Sequence, residues 1–143
     1  MIVSLFGRSA RFKRLRIPFF LERVSAGFPS PAQDYVEQTL DLNELCVKHP
    51  AATFFVRVEG DSMVEAGIFA NDVLTVDRSL KAEHGDIVIA CLEGEMTVKE
   101  LCLRPSPKLL PRNSAYSPME LSDERDLEIF GVVTSVIRTI GRR

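Results

Sequence analysis

The chain has 143 residues, of which 45% are hydrophobic and 27% charged, a balance that suits one globular domain and excludes disorder along the whole length. No apolar run approaches the ~18 residues that a membrane span needs. The net charge of −2 conceals an asymmetry: residues 1–26 carry Arg8, Arg11, Lys13, Arg14, Arg16 and Arg23 against Glu22, or +5, and the remainder carries −7.

A basic arm on an acidic body has two readings: attraction of the arm to its own domain, or contact with nucleic acid or an acidic partner. The start, Met1-Ile2-Val3-Ser4-Leu5-Phe6, puts apolar residues ahead of the basic ones. A secretory signal has the reverse order, so the expected location is the cytoplasm. Residues 1–16 hold only scattered apolar positions and are expected to form a flexible arm. Around Pro18, the apolar patch Ile17-Pro18-Phe19-Phe20-Leu21 is expected to be extended. One glycine and two prolines in Ser25-Ala26-Gly27-Phe28-Pro29-Ser30-Pro31 indicate a loop or extended connector. Residues 34–45 have mixed periodicity, which suits a short helix or a turn.

From residue 53 the pattern is that of strands. Thr53-Phe54-Phe55-Val56-Arg57-Val58 is β-branched and aromatic, and Val73-Leu74-Thr75-Val76-Asp77 follows the turn at Ala70-Asn71-Asp72. Residues 86–92 and 96–103 flank Glu93-Gly94-Glu95 as the two arms of a hairpin. A short strand is expected at Leu109-Leu110-Pro111, and a longer one over residues 127–140 with a bulge or bend at Gly131. Five or six short strands with almost no helix predict a mainly β fold, a small folded sheet or barrel. No pair of successive amphipathic helices precedes residue 53, so no helix-turn-helix is expected. Cys46, Cys91 and Cys102 are odd in number and outside any CxxC pair, and are read as small buried side chains.

Two residues stand out chemically. Ser62, in Gly60-Asp61-Ser62-Met63, follows a strand on a turn that could present its hydroxyl, although most such tripeptides are plain turns. Lys99, in Thr97-Val98-Lys99-Glu100-Leu101, is either a solvated outward residue or an amine kept neutral by burial. Moving a lysine pKa from ~10.4 to ~7 costs roughly 4–5 kcal/mol, and Phe55, Val58, Ile87, Ile89, Val98 and Leu101 could supply that desolvation. A serine hydroxyl needs such a base. His49 and His84 sit in loop-like contexts with nothing to link them to Ser62. No HExxH or paired His/Cys spacing suggests a metal, and Asp72, Asp77 and Asp86 occupy turn positions.

Several segments, in order from about residue 17 onward, resemble the UmuD branch of the LexA-like self-cleaving serine peptidases. They are Phe28-Pro29-Ser30-Pro31-Ala32-Gln33-Asp34-Tyr35-Val36-Glu37-Gln38 with Asp41-Leu42-Asn43, Gly60-Asp61-Ser62-Met63, His84-Gly85-Asp86-Ile87-Val88-Ile89-Ala90, Thr97-Val98-Lys99, and Asn113-Ser114-Ala115-Tyr116-Ser117-Pro118. The resemblance implies a LexA-type C-terminal fold over residues 27–143 and an arm, residues 1–26, removed by self-cleavage. It implies Ser62 as nucleophile, Lys99 as general base, and a scissile bond between Ala26 and Gly27. No cofactor or metal is implied. The implied partners are a second copy in a homodimer, a RecA filament on single-stranded DNA, and a UmuC-like Y-family translesion polymerase in the SOS response. Sequence-specific nucleic-acid binding and membrane attachment are not expected. Residues 1–16 depart from the family start, and Ala26 stands where the UmuD pattern has cysteine. Alternatives are a non-catalytic β module binding polymerase or filament, a protease acting on other chains, and a DNA-binding repressor.

Overall fold

The computed structural model describes residues 2–8, 17–20, 36–92, 94–121 and 127–141, with residues 2–8, 17–20 and 36–40 described by their backbone. It divides into two units, Ala10–Lys48 and a larger one of Met1–Ser9 with His49–Arg143.

The smaller unit holds an antiparallel ribbon of β2 (Ile17–Phe20) and β3 (Val36–Leu40), with Ile17 opposite Leu40 and Phe19 opposite Gln38. A short helix, α1 (Leu42–Cys46), follows; Asp41 caps it by accepting the Asn43 N–H at 2.8 Å. The mixed pattern of residues 34–45 thus resolves into a strand and then one helical turn.

The larger unit is an eight-stranded antiparallel sheet. Its strands are β1 (Ile2–Arg8), β4 (Thr53–Glu59), β5 (Val73–Asp77), β6 (Ile87–Leu92), β7 (Glu95–Cys102), β8 (Lys108–Leu110), β9 (Met119–Glu120) and β10 (Leu127–Ile137). The spatial order is β1-β4-β5-β10-β6-β7-β8-β9, and Ile2 of β1 also pairs with Thr97 of β7. The first six strands in that order therefore close into a ring, the small barrel expected from the sequence.

The β6–β7 hairpin turns at Gly94, whose φ of 80° suits a residue without a Cβ, and it sets Val88 opposite Lys99 and Ile89 opposite Val98. β10 serves two neighbours. Its first half pairs with β6 and its second with β5, with register shifts between Ile129 and Gly131 and between Val133 and Ser135. The expected bulge at Gly131 is present, and a Cβ there would lie 2.6 Å from Val76 Cγ1. Valines, Leu74, Met63, Ile68 and Ile89 form one buried cluster, and Val88, Ala90, Leu101, Leu109 and Val132 form a second. Each such side chain contributes roughly 1.5–3 kcal/mol by leaving water.

One expectation changes. Residues 1–16 were expected to be a flexible arm, but Ile2–Arg8 form a strand antiparallel to β4, with Val3 opposite Val58 and Leu5 opposite Val56. The partner lies some fifty residues along the chain, which local pattern cannot reveal. The connector over residues 25–31, and with it Ala26 and Gly27, lies outside the described residues.

Candidate active site

Ser62 leaves the end of β4 on a turn. Gly60 adopts φ 91°, the 3-10 turn Val64–Ala66 follows directly, and Gly67 closes it at φ 81°. Buried Met63 anchors the turn from below, as its carbonyl accepts from Ala66 N at 3.0 Å and Ile68 N at 3.2 Å. Ser62 itself is only 1% exposed.

Lys99 comes from the middle of β7 and is 7% exposed. Its Nζ lies 2.9 Å from Ser62 Oγ, 3.0 Å from Thr97 Oγ1 and 3.1 Å from the Val98 carbonyl oxygen. Val88 opposite it and Leu101 two residues on share its face of the strand, and both are buried. That burial holds the Lys99 amine below its ordinary pKa of 10.5, because it disfavours the charged form. Of the six residues expected to dry this region, Val58, Ile89, Val98 and Leu101 are buried, while Phe55 and Ile87 are half-buried.

A neutral amine has two N–H groups and one lone pair. Thr97 Oγ1 and the Val98 carbonyl can take the two hydrogens, which leaves the lone pair for the Ser62 hydroxyl. The arrangement places a hydroxyl beside an amine that can act on it as a base.

A second layer, which sequence reasoning did not assign, grips the serine turn from residues 112–116. Asn113 Nδ2 donates to the Asp61 carbonyl at 2.8 Å, and Tyr116 Oη donates to Asp61 Oδ1 at 2.5 Å. Ser114 N donates to Glu65 Oε2 at 2.7 Å, Glu65 N donates to the Arg112 carbonyl at 2.8 Å, and Arg112 also pairs with Glu100. The hydrogen bond to Asp61, together with that carboxylate's charge, raises the Tyr116 pKa. The sequence signal for it is Asn113-Ser114-Ala115-Tyr116, one of the segments that carry the family resemblance.

The other titratable candidates have partners elsewhere. His49 Nδ1 lies 2.5 Å from Asp77 Oδ2, and His84 Nδ1 accepts from Leu103 N at 2.9 Å. Asp77 accepts from Ser79 N and Oγ, and Asp86 accepts from Glu83 N, as turn carboxylates do. Asp72 is more than a turn residue. It takes Phe69 N at 2.7 Å and two hydrogen bonds from Arg138 at 2.6 Å each, and Arg138 stacks on the Phe69 ring at 4.4 Å. Burial alone would raise the Asp72 pKa, but these hydrogen bonds outweigh it and the net shift is downward. Among the described residues, no group of three or more His, Cys, Asp or Glu is placed to hold a metal ion, and no helix is long and apolar enough to cross a membrane.

Known proteins resemble this chain over most of its length. The chain is 52% identical over 135 residues to protein MucA of Escherichia coli, covering 94% of this chain and 92% of that protein. It is 55% identical over 120 residues to protein ImpA of Shigella flexneri, covering 84% and 82%. It is 38% identical over 137 residues to LexA repressor 2 of Pseudomonas syringae pv. tomato, covering 95% and 67%. The model of the Peptidase S24-like family matches residues 18–134, and the chain belongs to that family.

Proposed function

We propose that this protein is a self-cleaving serine peptidase in which Ser62 attacks the carbonyl of Ala26, with Lys99 as general base. The observation that carries the reading is the 2.9 Å contact between a buried lysine amine and a serine hydroxyl, in a chain of a peptidase family. Lys99 takes the hydroxyl proton as Ser62 Oγ bonds to the carbonyl carbon. The tetrahedral oxyanion is held by backbone N–H groups of the turn over residues 60–63. Lys99 then passes the proton to the Gly27 nitrogen as the peptide bond breaks, and water later releases the acyl group from Ser62. Ala and Gly at the bond let the backbone approach closely.

In this reading residues 1–26 are the removed segment and residues 27–143 the retained body. Removal takes +5 of charge from a body of −7. The chain acts in the cytoplasm as a homodimer. A RecA filament on single-stranded DNA favours the cleaving conformation, and the trimmed form serves a UmuC-like Y-family polymerase in SOS mutagenesis. The likeness to MucA and ImpA supports this setting.

The test is mass spectrometry of purified chain after incubation at alkaline pH, with and without filament. Wild type should break after Ala26, faster with filament, while Ser62→Ala and Lys99→Ala stay whole. A cut after Ala26 in either variant would overturn the assignment. An intact wild type would favour the non-catalytic β module.

A further inference from the structure

The serine assigned as nucleophile is 1% exposed and its lysine 7%, so both groups are covered. The backbone pairing sets one described strand, β1, beside the strands that carry them. On one edge β7 pairs with β6 from Glu95 to Glu100; on the other, β8 takes only Glu100, Leu101 and Cys102. The remaining stretch of that second edge, beside Lys99, is met by β1, where Ile2 pairs with Thr97. Thr97 is the residue whose hydroxyl lies 3.0 Å from Lys99 Nζ. The same Ile2 pairs with Glu59, the last residue of the strand that leads into the Ser62 turn. β1 therefore runs along β4 and ends in the gap between the strand before the serine and the strand of the lysine.

That gap is one strand wide. β4 has β5 on its other side and β7 has β6 on its other side, so with Ile2–Arg8 absent β4 and the Glu95–Lys99 stretch of β7 would each present an edge unpaired among the described strands. Such a gap recognises any extended backbone through its N–H and C=O groups. An extended segment approaching Ser62 and Lys99 from this side would compete for the same backbone groups.

We infer that the gap between β4 and β7 is a strand-docking surface, occupied at rest by Ile2–Arg8 of this chain, and that this strand restrains self-cleavage by keeping the gap filled. The inference rests on the Ser62–Lys99 reading for its consequence, but the docking itself does not depend on it. Ile2–Arg8 lie within the segment that cleavage after Ala26 would detach, so the restraint and the bond it protects would leave the body together.

Two measurements separate docking from restraint. In a Ser62→Ala chain, which keeps every strand and cannot cut itself, hydrogen–deuterium exchange is followed with and without residues 2–8. Faster exchange at β4 amides not bonded to β5, and around Met96, Thr97 and Val98, is expected on deletion; unchanged exchange overturns the docking. In the otherwise wild-type chain, the same deletion should raise the first-order self-cleavage rate about tenfold, the change expected if the gap is vacant roughly a tenth of the time. A synthetic peptide of residues 1–9 added in excess should bring the rate back down. An unchanged or lower rate overturns the restraint. Should the deleted chain misfold, Ser4→Pro and Leu5→Pro replace it, since one of two neighbouring strand amides faces β4 and its loss weakens the pairing. If full and shortened chains both stay whole while the amides open, the Ser62–Lys99 reading falls and the restraint with it, leaving the docked strand standing.

Discussion

At the scale of the residue, the proposed chemistry turns on how Lys99 is kept dry. Alternation in a strand normally gives one wet face and one dry face. Here Val98 and Lys99, neighbours in β7, are both buried. The closed ring covers one face, and the Val88, Leu101 and Leu109 cluster covers the other. That double cover is why the sequence left Lys99 open between solvated and buried, and why the tie had to be broken by family likeness.

The pH dependence follows from the downward shift. The cleavage rate should rise as pH climbs toward the folded-state pKa of Lys99, below 10.5, and then level off. A rate flat between about pH 7 and 10 speaks against a lysine base. Stability should carry the same signature with a defined sign. Between the lowered folded pKa and the unfolded one, only the unfolded chain binds the proton, so stability rises with pH across that window. Lys99→Met should lack that increment in urea titrations at successive pH values, and should cleave at least about 10³-fold more slowly.

Among the elements, the serine turn is held from two sides by contacts distant in sequence. Residues 112–116 grip it through Asp61 and Glu65, and Asp72 with Arg138 ties the next loop to the end of the chain. Tyr116→Phe removes a single hydroxyl from an exposed contact, so global stability should change little. The self-cleavage rate should nonetheless fall several-fold, because small misplacements of a nucleophile are costly. Equal loss of stability and rate would reduce Tyr116 to a plain structural contact. Asp72→Asn should cost about 2 kcal/mol of unfolding free energy in urea titration, since it weakens a charge-assisted pair at a fully buried carboxylate. Because the Asp72 pKa is lowered, that contribution is present above the unfolded value near 3.8 and is lost as pH falls through the folded one.

The strands from β4 onward were legible because their turns are written in glycine, asparagine and aspartate beside β-branched runs. Gly94 at the hairpin and Gly131 at the bulge were read correctly for that reason. β1 was not legible. Its apolar residues lead directly into Arg8 and Arg11, a pattern that suits a loose basic arm, and its pairing with Phe54, Phe55, Val56 and Val58 spans a distance that no local signal encodes. Met119–Glu120 was missed because two residues are too few for a period.

For the whole molecule, the sheet order has a bearing on synthesis. Ser62 belongs to the β4–β5 half and Lys99 to the β6–β7 half, and these halves share their broad seam only through β10, the final strand. A chain ending before Leu127 is therefore expected to remain whole after alkaline incubation and to show no cooperative unfolding by circular dichroism. On the ribosome, Ser62 and Lys99 emerge long before the strand that stitches their halves together. On the proposed reading of these two residues, the growing polypeptide carries both groups without the closing stitch, so self-cleavage is expected to wait until β10 has emerged.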